Sequence, residues 1–301
     1  MSQRPVLFIV GAESFVGKNL IKHCQSQSIN YRGVDLIESS DPNVHKVDIC
    51  DPNLADQILA NSVVVHLAAI SRDSDCSENP GLANKINIEG TLNVLRCAQI
   101  KNARQMIFAS SEWVYGQVSN DAEQSELDEI QIHLLDSIYA ITKAVGERYL
   151  KLLRKDLDVT VLRFAIIYGP RPSNWSAVES LFDSVKNKAE LSVGSLRAGR
   201  RFIHVDDICT GILAAVGLPG YEILNISGDN TVTLGEIITQ SKSITGRSPK
   251  VLELAPEKVS LRNPTNEKAK SVLNWSPKIS ITDGLRSLLS NYSTRTKIKK
   301  P

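Results

Sequence analysis

Short apolar runs rich in β-branched residues recur along the chain: "VLFIV" at 6–10, "YRGVD" at 31–35, "HKVDI" at 45–49, "VVVHLA" at 63–68, "QMIFAS" at 105–110 and "VTVLRF" at 159–164. Stretches of helical period separate most of them, at 15–26, 82–101 and 137–155. Strands alternating with helices predict a parallel sheet covered on both faces, an α/β fold. After Pro170 the texture changes. "RPSNWSAVESLFDSVKNKAE" reads as a loop and a helix, "LSVGS" and "EILNIS" as strands, and "TLGEIITQSKSITG" as a helix that stops at Gly246. The pattern predicts a doubly wound sheet domain over 1–169, regained at 202–230, and a smaller α/β domain assembled from 170–201 and 231–301.

Composition narrows the class of protein. The 301 residues, 42% of them hydrophobic, suffice for one large domain or two that share a boundary. Thirty-five basic against thirty-three acidic side chains leave a net charge of +2, which gives no reason to expect a nucleic acid or membrane partner. The basic end "TRTKIKKP" is short and reads as a frayed, solvated tail. Cys24, Cys50, Cys76, Cys97 and Cys209 are scattered, with no C-x-x-C pair, so reduced thiols are expected rather than a disulfide frame or a metal site. The first apolar run ends at Gly11, too short for a signal peptide, and no stretch approaches the ~20 apolar residues of a spanning helix. A cytoplasmic protein is expected.

The first candidate chemistry is "GAESFVG", 11–17, directly after an apolar run. In a Rossmann-type loop the first glycine permits the turn, the middle one admits a pyrophosphate, and the last lets helix pack on strand. Gly11 and Gly17 hold the outer places, but Ser14 stands in the middle. Its hydroxyl either crowds a phosphate or donates to it, and small residues also suit any strand–helix turn. Asp35 adds weight. It ends the second predicted strand, eighteen residues past Gly17, where a carboxylate bonds ribose hydroxyls. That position repels a 2′-phosphate, and "LIESS" offers no arginine in compensation, so NAD is expected over NADP. Asp48, ending the third predicted strand, falls near the adenine or is simply a solvated carboxylate.

The second constellation is "FASSEWVYG" at 108–116, at the C-terminal end of a predicted strand, followed by "YAITK" at 139–143. On a helix Tyr139 and Lys143 share one face. A nearby ammonium favours the phenolate, which makes a base usable near neutrality, and a Ser hydroxyl can bond the oxygen whose proton moves. Y-x-x-x-K is common by chance, yet of seven tyrosines only Tyr139 has Lys at plus four.

With these motifs the chain resembles the extended short-chain dehydrogenases, the NAD-dependent epimerase/dehydratase family that acts mostly on nucleotide sugars. The resemblance runs nearly end to end, through "VVVHLAA", "NIEGTLNVL", "SSEWVYG", "YAITKAVGE", "LRFAIIYGPR", "RRFIHVDDI", "NISG" and "EKAKSVLNWSP". It implies Ser111, Tyr139 and Lys143 as the catalytic set. It implies NAD contacts at Gly11, Ser14, Phe15, Val16, Gly17, Asp35, Asp48, Ile49, Leu67, Ala68 and Ala69, with Tyr139 and Lys143 also meeting the cofactor. For the nucleotide-sugar substrate it implies Ser111, Glu112, Trp113, Asn174 and two arginines, Arg200 at the diphosphate and Arg262. It also implies a homodimer built on the helices at 82–101 and 137–155, where Ile138, Ile141, Val145, Tyr149 and Leu152 leave the second helix apolar on more than one side.

Two departures bear on the reaction. Dehydratases of the family carry an acidic pair after the catalytic Ser/Thr; here those places read Glu112 and Trp113. Glu112 is then an acid, a sugar-hydroxyl ligand or a loop carboxylate. Ile166 stands where many relatives have a substrate-contacting Asn. The expected function is an NAD-dependent nucleotide-sugar epimerase acting at the sugar C4. The alternatives are a 4,6-dehydratase, an NAD(P)H-dependent keto-sugar reductase, or a non-catalytic NAD-binding scaffold.

Overall fold

The structure is a computed structural model that describes residues 5–116 and 122–298. Seven parallel strands form its central sheet: β1 (Leu7–Val10), β2 (Tyr31–Asp35), β3 (Val44–Lys46), β4 (Val63–His66), β5 (Gln105–Ser111), β6 (Asp158–Phe164) and, after four intervening short strands, β11 (Tyr221–Ile226). Their spatial order is β11-β6-β5-β4-β1-β2-β3, so the winding reverses at β1, which lies between β4 and β2. Ligands gather outside the carboxyl ends of strands at such a reversal. Alternate residues of β1 serve opposite faces: Leu7 and Ile9 pack with Leu20, Ile208 and Ile212, whereas Phe8 and Val10 pack with Val94, Leu95 and Leu150.

The helices on these faces are α1 (Phe15–Ser26), α2 (Asp73–Glu78), α3 (Pro80–Asn84), α4 (Thr91–Ile100), α5 (Ile138–Leu153), α6 (Ala177–Asn187) and α7 (Val205–Ala214), with α6 away from the sheet. The single helix expected at 82–101 is α3 and α4 joined through a wider π turn, Lys85–Gly90. The π turn carries Asn87, whose carboxamide accepts from Ile70 N and donates to Ile70 O and to Thr142 Oγ1 of α5. Regular helical hydrogen bonding yields here to a side chain that pins a loop, a common use of π turns. The third strand is shorter than expected. It stops at Lys46 because the Asp48 carboxylate takes the Cys50 N–H at 2.8 Å and turns the chain.

Beyond β6 a third apolar core forms around Val178, Phe182 and Val185 of α6, Leu191 of β8 (Glu190–Val193), Ile237 of α8 (Leu234–Thr245), and Leu285. The short strands β7 (Ile167–Tyr168), β9 (Gly199–Arg200), β10 (Ile203–His204), β12 (Val232–Thr233), β13 (Lys250–Glu253) and β14 (Leu261–Arg262) frame it. Ser176 and Glu179 cap α6 reciprocally, and α8 ends at Gly246 with φ +66 as its sequence predicts. The two last helices are α9 (Glu267–Leu273) and α10 (Ile281–Ile298). The tail expected to fray is helical as far as Ile298, and 299–301 lie outside the described residues. Among the described residues no helix is long and apolar enough to cross a membrane.

Candidate active site

A cavity of about 1020 Å³ opens along the carboxyl ends of the central strands. At one end β1 passes through Gly11, at φ +88, into α1. A Cβ on Gly11 would stand 2.6 Å from Ala68 N, and one on Gly17 would stand 2.3 Å from Gly11 O, so both positions demand glycine. Ser14 caps α1: its Oγ accepts from Gly17 N at 3.1 Å. The first-turn amides of Phe15 and Val16 have no intrahelical acceptor and begin a helix whose dipole favours an anion. Gly11, Ser14, Phe15 and Val16 line the cavity; Gly17 works from behind it, holding helix to strand.

Asp35 lines the cavity with its carboxylate oriented by two backbone donors, Glu13 N at 2.8 Å and Ile37 N at 3.2 Å. Glu13, absent from the sequence reading, lines it too. Burial raises its carboxyl pKa, but Lys18 at 2.8 Å and a short bond from Ser39 outweigh that and hold it below the usual carboxylate range. Two carboxylates, Glu13 and Asp35, therefore stand on this stretch of the wall. Asp48, Ile49, Leu67, Ala68 and Ala69 complete it. A turn that only glycine fits, helix-start amides and two carboxylates on one wall together suit a dinucleotide such as NAD.

At the other end Ser111 closes β5 and Tyr139 and Lys143 come from the first turns of α5, all three on the cavity wall. Burial pushes the Tyr139 phenol up to about 12, opposed by a hydrogen bond with Ser111. Burial brings Lys143 down to about 8, with Glu147 working against that; its Nζ donates to Ala109 O at 2.7 Å and sits 5.9 Å from the Tyr139 ring centroid. Without a cofactor both groups are desolvated, and the Lys143 ammonium is engaged by the Ala109 carbonyl.

Glu112 departs from its expected role. Its side chain is wholly buried, absent from the cavity wall, and neither carboxylate oxygen has a hydrogen-bond partner among the described residues. Burial pushes its carboxyl up to about 7 while Arg262 and Arg200 pull the other way. Trp113 does line the cavity, edge-on to Tyr139 at 6.4 Å and 4.3 Å beneath the Arg262 guanidinium. Arg200 and Arg262 also line it. Asn174 does not; its neighbour Trp175 takes the wall, under the Arg72 guanidinium at 3.7 Å.

The sequence reading missed the groups that hold this constellation. Glu147, one turn beyond Lys143, accepts from Ser110 Oγ at 2.5 Å and from Arg163 through Nε at 3.1 Å and Nη2 at 2.7 Å. Asp73 accepts from Ser137 Oγ at 2.6 Å and from Tyr139 N at 3.3 Å, fixing the start of α5. The signal lay in the motif "YAITKAVGE", whose last residue is Glu147.

Residues 7–227 match the NAD dependent epimerase/dehydratase family. Over 231 residues the chain is 29% identical to a UDP-glucuronate 4-epimerase of Thermodesulfobacterium geofontis, covering 75% of this chain and 70% of that protein. It is 25% identical over 301 residues to a putative UDP-glucose 4-epimerase of Methanocaldococcus jannaschii, covering 95% and 97%. The solved UDP-glucose 4-epimerase of Thermotoga maritima, with UDP-glucose, shares the fold at a TM-score of 0.85 and 24% identity, over 97% of this chain and 99% of that one.

The buried Glu147–Arg163 pair yields the first prediction. Arg163→Ala leaves a buried carboxylate without its ion-pair partner and should lower unfolding stability by about 3–5 kcal/mol, read by urea denaturation. A midpoint within error of the parent protein would show that the pair holds nothing in place. From residue 7 to residue 227 this chain belongs to the NAD dependent epimerase/dehydratase family of enzymes.

Proposed function

We propose that the protein is an NAD-dependent nucleotide-sugar 4-epimerase. The observation that carries this reading is the meeting of Ser111, Tyr139 and Lys143 on one cavity wall with a dinucleotide cradle at one end and Arg200 and Arg262 beyond the other. The named 4-epimerases to which the chain is similar support the same class. Gly11, Ser14, Phe15, Val16, Asp35 and Lys143 would hold NAD, which when bound supplies a reversible hydride acceptor. Ser111 holds the sugar hydroxyl oxygen, and Tyr139 takes its proton and returns it after the sugar has offered its other face. Lys143, whose Nζ donates to Ala109 O in the free protein, would also reach a ribose hydroxyl of the bound cofactor. The segments 170–201 and 231–301 supply the sugar side through Trp175 and Arg262. Elimination of water has weaker support, since Glu112 is off the cavity wall and the second acidic place is Trp113.

Tyr139→Phe keeps the ring and removes the proton carrier, so reduction of bound NAD by nucleotide sugars in a single turnover should slow by about 10²–10⁴-fold while NAD still binds. Nicotinamide absorbance reads it; undiminished reduction would assign the base elsewhere.

Asp35 and Glu13 argue for NAD over NADP. Parent protein should bind NAD far more tightly, and Asp35→Ala should weaken NAD and narrow the gap, as read by fluorescence titration. Superimposed NAD and NADP curves for the parent protein would overturn the preference.

A homodimer completes the proposal. On α5 Tyr149 is 39% exposed and Leu152 61%, and Ile100 at the end of α4 is 56% exposed. An apolar face on two neighbouring helices suits a closed two-fold contact. Light scattering at micromolar concentration should give twice the mass of one chain; a single-chain mass would exclude it.

A further inference from the structure

Arg200 and Arg262 stand directly opposite each other in the parallel pairing of β9 with β14. Like charges so placed repel, and each guanidinium is further disfavoured by burial. Hydrogen bonds engage both: Arg200 donates to Gly199 O at 2.7 Å, Ser260 O at 2.6 Å and Ser260 Oγ at 2.9 Å, and Arg262 donates to Gly116 O at 3.4 Å. None of these acceptors carries a full negative charge. The carboxylate that acts on both is Glu112, 3.9 Å from Arg200 Nε and behind the wall that both arginines line.

Glu112 is held in an unusual way. Its two oxygens are wholly buried and accept no hydrogen bond from the described residues, so among these it is charge that favours the ionised form. The charged groups that reach it are Arg262 from β14 and Arg200 from β9; Asp136, before α5, acts on Arg262 instead. From α5 itself Tyr139 meets Trp113, the next residue along. A buried carboxylate with no hydrogen-bond donors loses its reason to stay ionised once other anions claim its partners.

We propose that Glu112 is the resident counter-charge of an arginine-paired diphosphate site, and that it takes up a proton when a nucleoside-diphosphate sugar binds Arg200 and Arg262. The inference rests on the nucleotide-sugar reading and assigns Glu112 a positioning role, with no contact to the sugar. In the free protein Glu112 quenches the repulsion between the two guanidiniums and keeps them side by side. The arriving diphosphate brings two negative charges to the same pair. Protonation of Glu112 then removes the like-charge conflict behind the wall, and the net change is up to one proton taken from solvent per ligand bound. Affinity for the substrate thereby becomes pH-dependent although a diphosphate diester itself does not titrate near neutrality.

The test is isothermal titration of the NAD-loaded protein with UDP-glucose, GDP-mannose and dTDP-glucose at pH 7.5, in PIPES, HEPES and Tris, whose ionisation enthalpies differ widely. The heat with any ligand that binds should vary linearly with buffer ionisation enthalpy, giving uptake of roughly 0.5–1 proton. Glu112→Gln should bind with no buffer dependence. Parent affinity should fall about tenfold between pH 6 and pH 8, and that of Glu112→Gln should stay level. Should the variant not fold, the parent protein's buffer dependence and the appearance of a protonated carboxyl band in its infrared difference spectrum on binding decide the matter. Binding heats independent of buffer, or uptake retained in Glu112→Gln, would overturn this inference and leave the proposed function standing. Absence of binding by all three ligands would overturn both.

Discussion

The rigid centre of the molecule is one carboxylate. Glu147 of α5 joins Ser110 of β5 to Arg163 of β6, and Arg163 lies 4.8 Å over the ring of Tyr115, whose hydroxyl reaches Asn225 of β11 at 2.8 Å. Burial works against the Arg163 charge, but two hydrogen bonds donated to one carboxylate more than offset it and raise its pKa. Three neighbouring strands and a helix are thereby locked in register at the level of the cavity. Ser111 follows Ser110, and Lys143 lies one turn before Glu147. Charged hydrogen bonds thus add their direction to the apolar packing and the strand ladder that set the distance from hydroxyl to phenol.

Much of this was legible in the chain. The parallel sheet follows from β-branched runs that are buried on both faces, and Gly11, Gly17 and Asp35 sit where backbone closeness and charge require them. What escaped the reading has a common physical character. The π turn at Lys85–Gly90 exists because Asn87 pins a loop distant in sequence, and periodicity carries no trace of such a tie. The direction taken by Glu112 depends on a tight turn after β5, within which successive side chains leave the wall at different angles. Trp175 displaces Asn174 from the cavity through the Ser176–Glu179 cap that orients the loop. The pKa values of Tyr139 and Lys143 are set by desolvation, a property of the folded surroundings that four-residue spacing cannot express.

Charge is handled differently at the two ends of the cavity. Around the dinucleotide cradle acidic groups are tied down by backbone donors or a lysine. Around Arg200 and Arg262 the compensating acid has no hydrogen-bond tether, so that end can respond to what arrives. The same fold thus holds one rigid electrostatic wall and one adjustable wall a short distance apart.

The cap formed by Ser14 carries a consequence for how the cofactor is kept. A glycine in its place would leave the loop before α1 to find its shape only upon binding, at an entropic expense. With the hydroxyl already satisfied by Gly17 N, the cradle is ordered before any ligand arrives, and little freedom remains to be surrendered. Such preorganisation lengthens residence. In the proposed epimerase cycle, which restores its nicotinamide at every turnover, the dinucleotide would be a standing component of the enzyme rather than a passing reactant.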